Sequence, residues 1–171
     1  MNYTTLSVPL VTEDRFDGLT PSNLNERERQ SVTQLALATL AEQHRPGQAL
    51  GNPDDTRAFL QLLLGDRRNE MFGCLFLSSR HRVIEFCELF QGTIDGASVF
   101  PRVVVQKTLE VNAAAVILVH VHPSGVSDPS DPDKAITQRL KTALGLIDVR
   151  VLDHFVIAAG ESFSFAESGL L

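Results

Sequence analysis

The run Ala113-Ala114-Ala115-Val116-Ile117-Leu118-Val119 constrains the fold most. An uninterrupted apolar stretch of this length reads as a strand buried on both faces, which needs covering elements on either side. It leads directly into His120-Val121-His122-Pro123-Ser124-Gly125, followed by Pro129-Ser130 and Asp133. Alternate side chains of a strand share a face, so His120 and His122 point one way and Val121 the other. Pro123, Gly125 and Pro129 end the strand in a tight loop. Asp131-Pro132 reads as an N-cap followed by proline at the first helical position, opening the helix that carries Asp133. A strand end and a helix start thus aim two imidazoles and a carboxylate at one point. Three protein ligands with a fourth position open is the pattern of a catalytic zinc, since structural sites usually close with four. Two other carboxylates lie close by, Asp128 and Asp131; their expected work is in the turn and the cap. Ser124 reads as a turn residue.

The remaining segments are consistent with one domain of alternating helices and strands. Residues 1–22 are polar and turn-rich and read as a flexible arm. Asn23 or Asn25 caps a helix running to about His44, with Val32, Leu35, Ala36, Thr39 and Leu40 as its apolar stripe and Arg45-Pro46-Gly47 as its stop. His44 in the last turn suits the helix dipole. Asn52-Pro53-Asp54-Asp55 opens a second helix through Leu64, ended by Gly65. Residues 23–56 therefore form an N-terminal helical segment ahead of the main body, 57–171. Two strands follow, Phe72–Leu77 and Val83–Phe90, and then a turn at Asp95-Gly96. If the strands pair as a hairpin with Leu77 opposite Ile84, Cys74 faces Cys87; two reduced cysteines filling a sheet is the expected state. Residues 103–112 read as a crossover helix. Lys134 to Leu146 has helical spacing through Ile136, Leu140, Ala143 and Leu144, and Val149 to Ala158 is the next strand. It carries Asp153-His154, a pair expected to be structural, the histidine donating to a neighbouring acceptor.

The spacing His-x-His-Pro, Pro-Ser, then Asp after ten intervening residues resembles the JAMM motif of JAB/MPN metalloprotease domains. The fuller run His-x-His-Pro-Ser-Gly, with Asp153-His154 and Ser162-Phe163-Ser164-Phe165 downstream, looks like the RadC branch, over roughly Arg57 to Leu171. The short length is similar to RadC-like proteins of prophages and plasmids, which lack a helix-hairpin-helix region. This resemblance implies an α/β fold, a mixed sheet flanked by helices with cytidine-deaminase-like architecture. It implies zinc (Zn2+) on His120, His122 and Asp133 with water as fourth ligand. It also calls for an upstream glutamate as proton acceptor, and Glu70, just before the first apolar strand, is the candidate; Glu85 and Glu88 are the alternatives. By itself Glu70 would read as a surface carboxylate at a helix end. Ser130 has two open readings, oxyanion donor and helix N-cap.

The implied chemistry is hydrolysis of a peptide or isopeptide bond in a protein or peptide substrate. A RadC-type DNA-repair role and a binding module without activity are the alternatives. The chain departs from the RadC pattern twice, with Val121 where the family has Asn and Val103 where it has Glu; both positions are candidates to line the cleft or support the ligands. The net charge of −6 argues against a broadly basic nucleic-acid surface. Arg67-Arg68 and Arg80-His81-Arg82 read as solvated clusters. The sequence has no apolar stretch long enough for a membrane span. Met1-Asn2-Tyr3-Thr4-Thr5 does not open like a secretory signal, so a cytoplasmic location is expected.

Overall fold

The computed structural model describes residues 16–92 and 98–171. The expected arm therefore lies mostly, and the turn at Asp95-Gly96 wholly, outside the described residues. Five strands form one mixed sheet in the order β2-β1-β3-β4-β5. They are β1 (Met71–Leu77), β2 (Val83–Gln91), β3 (Ala115–Val121), β4 (Arg150–Ala158) and β5 (Glu161–Ser164). β1 runs antiparallel to both β2 and β3, β3 and β4 are parallel, and β5 returns antiparallel to β4. Among the described residues four α-helices accompany them, α1 (Glu26–Gln43), α2 (Pro53–Leu64), α3 (Pro101–Glu110) and α4 (Asp131–Gly145), after a short 3-10 helix at Pro21–Asn23. This is the mixed α/β sheet flanked by helices that the sequence implies.

The period-2 alternation of β3 sorts its side chains into two cores. Ala115, Ile117, Val119 and Val121 join Leu60 and Leu64 of α2 on one face. Val116 and Leu118 join Val104 of α3 and Leu140 and Leu144 of α4 on the other. β3 is buried along its whole length, and helices on both faces are what a fully apolar strand requires. The two histidines continue the alternation on the α4 face. Val121 points away from them, as expected, and packs among Leu60, Leu64 and Met71.

Local chemistry sets the helix ends. Asn25 caps α1 by accepting from the Glu28 amide (3.0 Å), and Glu28 returns the bond (2.8 Å). Asn52 caps α2, with Pro53 at its start and Gly65 at its C-cap. α3 begins at Pro101, two residues ahead of expectation, because proline is pre-organised for a first turn.

Two expectations need correction. The stripe Val32, Leu35, Ala36, Thr39, Leu40 is only in part the packed face of α1: Val32 is 39% and Leu35 53% exposed. Of the stripe Leu40 packs inward, joined by Leu37 and Ala41 from outside it. Buried His44 closes the same side, stacked on Phe59 of α2 at 4.3 Å and with Nε2 3.2 Å from the Thr56 hydroxyl. The β1–β2 hairpin does bring Cys74 opposite Cys87, and both are free. Leu77, however, faces Val83 rather than Ile84, across a register shift after Phe76. Val83 is held at that end by the preceding chain, its amide donating to Gln48 O and its carbonyl accepting from Gly47 N, both 2.8 Å. No helix among the described residues is long and apolar enough to cross a membrane.

Candidate metal centre

Two short-range rules and one register bring the polar cluster together. β3 delivers His120 at its carboxyl end, and His122 follows one residue beyond, still tied to β4 through its amide on Ile157 O (2.8 Å). Gly125, at φ 83°, turns the chain back after the histidines, and the Val126 amide reaches the Ser124 hydroxyl at 3.5 Å. α4 then opens with Ser130 as its N-cap. The cap is thus Ser130 and not Asp131, which stands in the first turn paired with Lys134 at 3.3 Å. The reason is reciprocal capping: the Ser130 hydroxyl accepts from the Asp133 amide (3.3 Å) while the Asp133 carboxylate accepts from the Ser130 amide (2.8 Å). From Asp131 the equivalent position would be Lys134, which has no acceptor. Asp128 is exposed.

This capping box fixes the Asp133 carboxylate against the histidines. Asp133 lies 2.8 Å from His120 Nδ1 and 3.4 Å from His122 Nε2, and the Ser130 hydroxyl donates to it at 2.5 Å. His122 Nδ1 donates to Val126 O (3.0 Å), which sets the tautomer and leaves Nε2 as an acceptor facing Asp133. His120 is buried, and neither of its ring nitrogens is hydrogen-bonded; its close approach to Asp133 is not directed as a hydrogen bond. One ligand atom from each of His120, His122 and Asp133 falls within 4.8 Å of the others. Buried nitrogens without partners are costly in a folded protein. A ligand set of two imidazoles and one carboxylate is what a catalytic zinc takes, so the residues fit the metal.

The electrostatics agree with that assembly. Burial alone would push the Asp133 carboxyl up, but His120, His122 and the Ser130 hydroxyl more than offset it and hold the group well below the usual carboxylate range. The Asp133 carboxylate in turn raises His122, against the opposing effect of its burial.

Glu70 arrives by register. β1 pairs β3 with Phe72 opposite His120 and Met71 opposite Val121, so one step further Glu70 stands beside His122 on the histidine face. Its Oε2 is 3.6 Å from His120 Nε2. The alternatives are placed elsewhere. Glu85 pairs with Lys107 of α3 at 2.7 Å, opposite Phe76 and four residues along β3 from His120. Glu88 sits opposite Gly73 and is bound by Arg67.

Sequence reasoning missed Thr137. Buried in α4, its hydroxyl donates to Asp133 O (2.6 Å) and accepts from His154 Nδ1 (2.7 Å). The neighbouring acceptor expected for His154 of the Asp153-His154 pair is thus the Thr137 hydroxyl, while its Nε2 has no hydrogen bond. His154 stacks on Phe165 at 4.6 Å and lies parallel to His120 at 6.4 Å. Burial lowers its pKa to about 3, so the ring is neutral at ordinary pH. Asp153 faces away and accepts from His154 N (2.7 Å), Ser164 Oγ (2.7 Å) and Ala166 N (3.0 Å). The signal for Thr137 was a polar residue four positions after Asp133, inside the stripe that continues to Leu140 and Leu144.

The two departures from the RadC pattern fall outside this constellation. Val121 is core on the opposite face. Val103 occupies the first turn of α3, which has no acidic residue and no side-chain cap.

A mixed sheet between helices, with this donor set at the end of its central strand, is the arrangement of a JAB-type domain. The RadC-like JAB domain profile matches residues 50–170. Similar curated proteins are a UPF0758 protein of Halorhodospira halophila, 54% identical over 84% of this chain and 64% of its own length, and one of Thioalkalivibrio sulfidiphilus, 58% identical over 83% and 63%. Another, from Stutzerimonas stutzeri, is 53% identical over 89% of this chain and 67% of its own. The chain belongs to the RadC-like JAB domain family. It spans about 64% of the Halorhodospira relative's length.

Proposed function

We propose that this protein is a zinc-dependent amide hydrolase acting on a peptide or isopeptide bond. The observation that carries the reading is His120, a buried ring with both nitrogens free of hydrogen bonds and flanked by His122, Asp133 and Glu70. His120, His122 and Asp133 would hold the metal, which when bound polarises a carbonyl and makes water a nucleophile near neutral pH.

The remaining chemistry belongs to the chain. Ser130 and Thr137 lock Asp133 from the front and back of the first helical turn. The Val126 carbonyl fixes the His122 tautomer, and outer contacts of this kind keep ligands oriented. Glu70, at the rim of the cluster, takes the proton of the attacking water and passes it to the leaving amine. The Ser130 hydroxyl, which donates to Asp133 Oδ2, would turn that hydrogen bond to the oxyanion when the carboxylate is otherwise engaged. The net charge of −6 supports a protein or peptide partner over DNA. Two free cysteines facing each other in the sheet fit a reducing compartment, the cytoplasm.

The test is Glu70→Gln against wild type on a quenched-fluorescence peptide library, with zinc content measured in both. The expected result is retained zinc and hydrolysis slower by about a hundredfold or more. Equal rates would remove Glu70 from the chemistry.

A further inference from the structure

A cavity of about 310 Å³ opens directly from the metal centre. It is lined by His120 and Asp133 of that centre, by Pro132, Ala135, Ile136 and Arg139 of α4, and by Val99. Arg139 also lines a second, more open hollow of about 490 Å³, together with Pro101, Gln138, Thr142, Ala143 and Leu146. Residues 132, 135, 136, 139, 143 and 146 recur at helical spacing, so one face of α4 floors the whole groove. From Pro132 to Leu146 that floor is about 21 Å long, the length of about six residues of extended chain.

Charge in the groove is unbalanced at one point. Its formally charged linings are Asp133 and Arg139. Asp133 is matched by its two imidazoles. Arg139 makes no ion pair or hydrogen bond with any described residue. Arg139 is exposed on this face of α4, and a guanidinium fork beside largely apolar walls suits a carboxylate. Arg139 follows Asp133 by six residues, about 9 Å along the helix axis, or about three residues of extended peptide.

We propose that Arg139 is a specificity residue: it pairs with an acidic side chain that an extended peptide carries about three residues from the amide held at His120, His122 and Asp133. The position of that amide rests on the hydrolase reading; the groove and its cation do not.

The test is peptide binding, followed by fluorescence anisotropy on the 171-residue zinc-loaded chain carrying Glu70→Gln. The probes are end-blocked peptides that differ by Glu or Gln at a single position. The expected result is binding about five- to tenfold tighter for Glu at a defined position. Arg139→Lys retains part of that preference, and Arg139→Glu reverses it toward Lys. Equal binding of Glu and Gln peptides, no binding, or a preference that survives Arg139→Glu overturns the proposal. So does affinity that appears only with a free C-terminal carboxylate, which would give Arg139 to the chain end. The two readings separate on cleavage: a peptide held with the Glu preference yet left intact by the wild-type chain sinks the hydrolase and leaves Arg139 standing.

Discussion

Two buried carboxylates, Asp133 and Asp153, sit on opposite faces of the same sheet and are treated in opposite ways. Asp153 is satisfied within the protein by two amides and a hydroxyl, which knit β5 and the following turn onto β4. Asp133 also accepts from the Ser130 amide and hydroxyl, but its open side meets two imidazoles, one of them a buried ring with no hydrogen bond at all. A buried polar group that is satisfied internally stabilises a fold; His154 Nε2 also lacks a hydrogen bond, but His120 is the one whose neighbours bring ligand atoms within 4.8 Å of one another. The first arrangement is structure and the second is function.

The contrast can be broken first at Asp153. Asp153→Ala strands two buried donors and one part-buried donor and should cost about 2–4 kcal/mol of unfolding free energy, read by urea denaturation, whether or not zinc is present. Asp133→Ala in the metal-free protein loses mainly the capping box and should cost about 1 kcal/mol. A larger loss from Asp133→Ala than from Asp153→Ala would invert the comparison.

Acid sharpens it next. His154, which braces Asp133 through Thr137, is held neutral with its pKa lowered to about 3, against about 6.5 in the unfolded chain. A group depressed in this way lets the unfolded state bind the proton first, so its contribution is fully present above pH 6.5 and is lost as pH falls toward 3. Metal-free protein should therefore lose stability over that window, and His154→Gln should flatten the slope. The smallest effect belongs to α3, whose first turn has no acid: Val103→Glu should stabilise the protein by about 0.5 kcal/mol, seen as a small rise in Tm. A drop in Tm would mean that Val103, half-buried, is needed for packing.

Much of this was legible in the sequence because it is local or strictly periodic. Strand alternation placed His120 and His122 on one face with Val121 on the other, and a short hairpin fixed Cys74 opposite Cys87. Capping was nearly legible; it missed by one residue because Asp and Ser both cap well and only Asp133 three positions on decides for Ser130. What could not be read depends on partners distant in sequence. The position of Glu70 follows from the antiparallel pairing of β1 with β3, strands with β2 and α3 between them. Thr137 finds His154 across 17 residues. The face of α1 failed because apolar residues lie on several of its sides, so periodicity alone did not choose Leu37 and Ala41 over Val32 and Leu35.

The most direct test of the central claim is elemental analysis of the purified 171-residue chain after incubation with zinc and removal of excess. Wild type, His122→Ala and Asp153→Asn would be compared. The account predicts about one zinc per chain in wild type and in Asp153→Asn, and none in His122→Ala. Wild type without zinc, or a His122→Ala variant that keeps it, would contradict the assignment of His120, His122 and Asp133 as a metal centre.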